Sequence, residues 1–429
     1  MSTKCATGSI LRHLLFILFL DIVAFSSILP LFPAIIDYYG SSSVQGDLYS
    51  LLERNLNRYA RLIGIPKEEH LTSVAFGGML SSLFCTLQFI STPWFGAMSD
   101  IHGRKRMLLL SVAGSSLSYA LWLQASSFSV FFASRVIGGL SKATMPLAIA
   151  TVSDIYPPET RGYGMAFIGI AFSTGFLVGP SIGAYIAYRI RQSSSDIWSI
   201  TAPACFSLLV TVTQFCWIRW FLPETLPKSS RAKRGRALTP QVYECLNPKA
   251  LFLFRALAKR EGDKQLTKIR LIGLVYFLFL LAYSGLEFTM TFLTHQRFGF
   301  NSAQQGKMFL FIGLLMMFVQ GGYVRKLKPE RQKSAASMVS TCIPHFYAAI
   351  AFYSIASGIV VPCLTTELSS QVDANEKGTA LGIFRGLGAL SRAVGPIWAS
   401  AVFWHMGSEY CYLMGAALTT IPLILLQRV

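Results

Sequence analysis

Arg161-Gly-Tyr-Gly-Met-Ala-Phe-Ile-Gly-Ile-Ala-Phe-Ser-Thr-Gly175-Phe-Leu-Val-Gly179-Pro180 decides the fold: a basic residue and a Gly open an apolar run that reaches a Gly-Pro pair eighteen residues later. The pattern returns 216 positions on, from Lys377-Gly378 to Gly395-Pro396. An earlier loop, Gly96-Ala-Met-Ser-Asp100-Ile-His-Gly103-Arg104-Lys105, has a weaker echo at Gly321-Gly-Tyr-Val-Arg325-Lys-Leu-Lys-Pro-Glu330, at an offset of 225. A chain of apolar segments that repeats itself in two halves is the usual build of a secondary transporter.

The 429 residues are 53% hydrophobic and 14% charged, with a mean hydropathy of +0.49, outside the range of soluble chains. A spanning helix needs about 20 mostly apolar residues. Such stretches lie at 11–36, 73–98, 107–125, 128–152, 163–188, 199–221, 271–293, 308–324, 335–366, 379–403 and 410–427. The net charge of +18 alternates from loop to loop. With a cytosolic N-terminus, the loops on that side hold 25 basic residues, twelve of them between Leu222 and Arg270, and the opposite loops hold eight. The positive-inside rule then places both termini and the central loop in the cytosol and makes the helix count even. Nucleic-acid binding is set aside on the same distribution. Eight cysteines form no CxxC or Cys/His cluster, so no metal, disulfide frame or cofactor is expected. The first apolar run is too long for a signal-peptide core and reads as a retained helix.

The longest polar interruption, Leu222 to Lys268, contains Lys228-Ser-Ser-Arg-Ala-Lys-Arg-Gly-Arg236 and reads as a cytosolic strap beside anionic lipid headgroups. The expected organisation is a six-helix bundle at 1–221, a basic linker at 222–270 and a second bundle at 271–429. In the second half, Ala335 to Glu367 offers 33 residues where two crossings and a turn need roughly 40. We therefore expect an all-α integral membrane protein of twelve helices with a shortened ninth-to-tenth region.

Ionisable residues inside spans each cost about 2.5–3.5 kcal/mol at mid-bilayer on insertion scales, so they mark function. The acids are Asp21 and Glu287, and the bases are Arg135, Lys142, Arg385 and Arg392. Arg135 and Lys142 are seven apart, as are Arg385 and Arg392, which puts each pair on one helical face. Four cations against two acids leave the interior positive, and an organic anion would compensate. Arg135 either draws such an anion or ties its helix to a loop or to Asp21. Lys142 is mid-span, Arg385 is near the cytosolic entrance of its helix, and Arg392 lies two turns deeper. Asp21 is nine residues beyond Arg12, about 13 Å along a helix. Apolar surroundings favour its neutral form and a neighbouring cation its carboxylate, so it is suited to alternate between protonated and ion-paired states. Glu287 is a second proton site or an outer-gate partner.

The loop from Gly96 to Lys105 reads as a gate: Gly96 for close helix approach, Asp100 accepting from a helix N-terminus or an Arg across the half interface, Gly103 for the turn, and Arg104 and Lys105 as its cations. Gly175, Gly179 and Gly183, with Pro180 among them, leave a bare backbone groove on one helix side, a seam against leakage between the halves. Gly179-Pro-Ser181-Ile-Gly183 also matches GxSxG, but a nucleophile elbow needs a strand-turn-helix, so no enzyme is read here.

These residues resemble the major facilitator superfamily across nearly the whole chain: the Gly96 to Lys105 loop, Arg135-Val-Ile-Gly138-Gly139 and Gly175 to Gly183 are similar to its signatures. Asp21 with Pro30-Leu-Phe-Pro33, and Pro223-Glu224-Thr225, resemble its drug:proton antiporter branch. Gly285-Leu-Glu287-Phe-Thr289, Phe292-Leu-Thr-His-Gln-Arg297-Phe298, Gln305-Gly-Lys-Met308 and Val361-Pro-Cys-Leu364 are similar to a narrower group regarded as organic-anion transporters with drug-efflux relatives. The resemblance implies a monomeric carrier in the plasma membrane or an endomembrane that moves an organic anion or amphiphilic drug by alternating access, coupled to protons and surrounded by lipid. The alternatives are a non-transporting receptor or scaffold of the same fold, and an uncoupled facilitator.

Overall fold

The computed structural model describes residues 2–41, 47–63, 69–157, 161–191, 196–227, 246–255, 263–318 and 377–426, with short pieces at 354–355, 359–361, 363–365, 367–368 and 371–372. Among these residues every regular element is a helix. They are α1 (Ser2–Ser26), a 3₁₀ turn (Leu29–Leu31), α2 (Phe32–Ser41), α3 (Leu48–Ile63), α4 (Glu69–His102), α5 (Arg104–Leu123), α6 (Phe128–Ser141), α7 (Thr144–Ile155), α8 (Arg161–Arg191), α9 (Asp196–Phe221), α10 (Pro248–Phe252), α11 (Asp263–Phe298), α12 (Ser302–Phe318), α13 (Lys377–Met406) and α14 (Ser408–Leu426).

Eight stretches are long and apolar enough to cross a membrane, counting α1 with α2 and α6 with α7 as single crossings. The expected twelve are not reached among the described residues. Helix α12 has 17 residues, α13 carries Arg385 and Arg392, and the shortened block at 335–367 lies outside the described residues apart from the short pieces.

Two crossings read as continuous helices are broken, and serine hydroxyls occupy the backbone groups that the breaks release. Around Pro30 and Pro33, Ser27 Oγ donates to Ala24 O at 2.9 Å and meets Ser207 Oγ at 2.9 Å. Prolines lack the N–H that would carry the helix onward, so the hydroxyls take over part of its bonding. The 128–152 span breaks at Lys142 and Ala143, which cap α6 and α7 respectively. There Ser111 of α5 donates to Ser141 O at 2.6 Å and accepts from the Ala143 N–H at 3.2 Å. Arg135 and Lys142 therefore do not share one continuous helical face; a break separates them.

Helix α1 packs on α7, α8 and α9, while α5 packs on α6 and α9; α11 packs on α13 and α14. These two groups meet where α4 packs on α13 and α8 on α12. Part of the basic segment joins the second group: Leu251 and Phe254 are buried in one core cluster with Ile269, Ile272 and Phe384. At one end, His295 Nε2 of α11 lies 3.0 Å from Asp37 Oδ2 of α2. Large apolar side chains such as Leu209, Trp220 and Leu413 point outward, as they do on a lipid-facing surface.

The sequence repeat is a repeat of contacts. A Cβ on Gly179 would collide with Ser26 Oγ and come within 2.7 Å of Val23 O of α1; on Gly395 it would collide with Ser284 Oγ and come within 2.9 Å of Leu281 O of α11. Ser26 Oγ donates to Gly175 O and Ser284 Oγ to Ser391 O, each at 3.4 Å. Gly175 and Ser391 stand at the same 216-residue offset.

Candidate functional site

The break between α6 and α7 turns Lys142 inward. Its Nζ donates to Asp21 Oδ2 at 2.7 Å and to Asp21 O at 3.3 Å, and lies 4.9 Å from the centre of the Phe25 ring. The other carboxylate oxygen accepts from Thr144 Oγ1 at 3.1 Å. Asp21 is 1% exposed and Lys142 8%. Both carboxylate oxygens are thus occupied, one by a cation and one by a hydroxyl from the first turn of α7. A charge pair at this depth persists because each partner would be far costlier alone. The sequence nominates both residues but weighs Arg135 as the partner of Asp21, whereas the partner is Lys142; Thr144, an ordinary residue in an apolar run, goes unnoticed.

Arg135, 5% exposed, lies apart from that pair. Its guanidinium stands 5.2 Å from the Trp122 ring centre and 5.5 Å from that of Phe131. Nε reaches Ser134 Oγ only at 3.4 Å, and Nη2 has no hydrogen-bond partner. It borders a cavity of about 10 Å³ that Lys142, Ser115 and Tyr119 also line, room for roughly one water-sized occupant. An organic anion does not fit there in this conformation.

Glu287 of α11, Arg392 of α13 and Cys85 of α4 form one electrostatic neighbourhood, with Arg392 acting on both of the others. The sequence gives Glu287 and Arg392 as separate candidates; folding brings them together within the second group, where α11 packs on α13, with Cys85 of α4 facing them from the first. Arg385 is half-buried near the start of α13.

The gate loop is built around Arg104. Its side chain pairs with Asp100 Oδ1 at 2.6 Å and Asp154 Oδ2 of α7 at 2.8 Å, while its backbone N–H donates to Glu224 Oε1 at 2.9 Å. Lys105 Nζ donates to Arg219 O at 2.9 Å. The loop therefore clamps α4, α5, α7 and the end of α9 to one another, and the partner of Asp100 is Arg104 rather than an arginine across the half interface. Gly103 has φ +98°, a conformation open to Gly and strained for other residues. The reading of Gly96 is corrected: among the described residues a Cβ there would meet nothing within 4 Å. The Gly175, Gly179 and Gly183 groove, with Pro180 buried beside it, receives α1 of its own group. The contact of α8 with α12 uses other glycines, Gly306 against Ala184 and Gly313 against Leu177, for neither of which the sequence suggested a packing role.

Two helix groups that meet along small-residue faces, with charges buried between their helices, form the architecture of a secondary transporter. The chain belongs to the Major Facilitator Superfamily, whose profile matches residues 14–396; it is a multi-pass membrane transporter of small molecules and not an enzyme. It is 39% identical over 437 residues to mouse major facilitator superfamily domain-containing protein 10, covering 97% of this chain and 93% of the mouse protein. The crystal structure of the human organic anion transporter MFSD10 (TETRAN) superposes with a TM-score of 0.80 at 38% identity, over 98% of this chain and 99% of that one. The class E tetracycline resistance protein of Escherichia coli is 24% identical over 376 residues, covering 82% of this chain and 84% of that protein. The narrower resemblance read around Glu287 and His295 is borne out by the first two relatives.

Proposed function

We propose that this chain is a monomeric, proton-coupled carrier of organic anions or amphiphilic drugs. Bundles at 1–221 and 271–429 rock about a mid-membrane site, and the basic segment 222–270 and both termini lie on the cytosolic face beside anionic lipid. The observation that carries the reading is the buried pair of Asp21 and Lys142. One cation serves two competing anions, the Asp21 carboxylate and the substrate. Protonating Asp21 releases Lys142, and an anionic group takes the vacated place. Proton and anion binding are therefore positively linked, so both favour the same loaded state and travel together. A pH difference of one unit supplies about 1.4 kcal/mol per proton, enough for roughly tenfold accumulation at one-to-one coupling. Glu287 and Arg392 supply a second acid and cation from the other bundle. The Asp100, Arg104 and Asp154 cluster, with Lys105, Gly103 and Arg385, forms the cytosolic gate. The similarity to an organic anion transporter supports the substrate class, and that to tetracycline resistance proteins supports an amphiphilic drug among the substrates.

The test is uptake of a labelled organic anion into proteoliposomes with an imposed pH gradient of either sense. Wild type should concentrate the anion on the side towards which protons flow, and Asp21→Asn should equilibrate it without concentrating it. Accumulation against the proton flow, or unchanged gradient dependence in Asp21→Asn, would remove Asp21 from the coupling.

A further inference from the structure

We propose that the cavity beside Arg135, which Lys142 also lines, is a site for a small inorganic anion of halide size, occupied while Lys142 is paired with Asp21. Arginine remains cationic under all ordinary conditions, and at 5% exposure this one has left water behind. The two aromatic rings beside it offset only part of the cost of burying the ion. Among the described residues no carboxylate makes up the difference. Both oxygens of Asp21 are engaged by Lys142 and Thr144, and Glu287 lies with Arg392 in the other helix group.

The cavity is equipped for an anion. Arg135 Nη2 and Ser115 Oγ, both from residues 5% exposed, have no hydrogen-bond partner, and both residues line the same cavity as Tyr119 and Lys142. Ser118, also on the wall, already spends its proton on Ser134 O at 2.6 Å. The lining thus presents two cations and unspent O–H and N–H donors, and no acid. A space of this size, about 10 Å³, is on the scale of one small particle; a halide, somewhat larger than water, needs the lining to give slightly, and an organic frame needs far more room. Bound there, the ion supplies the negative charge that Asp21 withholds from Arg135, and it stabilises the conformation in which Asp21 and Lys142 are paired.

The test uses the purified full-length chain in detergent, with sodium chloride or bromide exchanged for sodium gluconate at constant ionic strength. Thermal unfolding should shift upward by a few degrees with a saturable dependence on halide, and crystals grown in bromide should give an anomalous peak at hydrogen-bond distance from Arg135 Nη2. The saturable shift should vanish in Arg135→Gln. Ser115→Val, which places methyl groups in the cavity and leaves every charge intact, should also abolish it, and it decides the matter if Arg135→Gln does not fold. Equal stability in both salts with no bromide peak means that a water sits there, and the proposal falls. It falls also if the shift survives in Ser115→Val, or if an added organic anion displaces the bromide, which would assign the cavity to the substrate's charged group. None of these outcomes depends on whether transport is proton-coupled.

Discussion

Asp21 and Lys142 hold each other in place, which makes their single and double variants behave differently. Lys142→Ala strands a carboxylate at 1% exposure and should cost about 3–5 kcal/mol, read as a lower unfolding temperature in detergent. Asp21→Asn combined with Lys142→Gln removes both charges and should recover most of that loss while remaining unable to use a pH gradient. If the double variant is no more stable than Lys142→Ala, the pair is not the origin of the cost. Both residues could be read from the chain because a charge in an apolar run stands out. Their pairing could not be, since it depends on a break between α6 and α7 and on a contact 121 residues apart in sequence. Asp154 escaped notice for a related reason: at the end of its span it looks like a surface acid, and only folding sets it against Arg104.

Hydroxyls repair the broken helices, and small residues set how closely helices approach. Ser111 meets both an acceptor and a donor at the break, so Ser111→Ala removes both bonds, leaves the Ala143 N–H only its bond to Ser141 O at 2.9 Å, and should destabilise by about 0.5–1.5 kcal/mol, measured by thermal unfolding. Two glycines in signature motifs should part company. Gly96→Ala meets open space and should transport normally, whereas Gly179→Ala meets the backbone of α1 at Val23 and should lose both stability and flux. Equal effects would mean that the groove does not set the approach of α1. The spans were recognisable from hydropathy and the Gly-Pro repeat from simple alignment of the chain on itself. Ser26 and Ser284, which complete that repeat in space, lie at a different spacing from the Gly-Pro pairs and look like any serine in an apolar helix.

The two helix groups also touch through His295, which has acceptors on both sides: Asp37 Oδ2 and Phe300 O, each at 3.0 Å. A neutral imidazole donates from one nitrogen only, so both bonds form only in the imidazolium. Acidifying this end of the bundle should hold it shut, and raising the pH should loosen it. Exchange through that face should slow on the order of a few-fold at low pH, one hydrogen bond's worth, and His295→Asn should flatten the dependence in rate measurements on oriented proteoliposomes. A steeper dependence in the variant would exclude the latch. The division into two halves was apparent from the repeat and the charge distribution, but the surfaces by which they meet were not, because they join residues from opposite ends of the chain. That arrangement governs how the protein is made. Helix α4 leaves the ribosome roughly 275 residues before its partner α13, tens of seconds at ordinary rates of synthesis. During that interval Gly77 and Gly78 present bare backbone to the bilayer, awaiting Phe292 and Ser400. An inserted first half is therefore an unfinished surface on which membrane quality control can act, and a defect near the C-terminus condemns helices that were correctly placed long before it was translated.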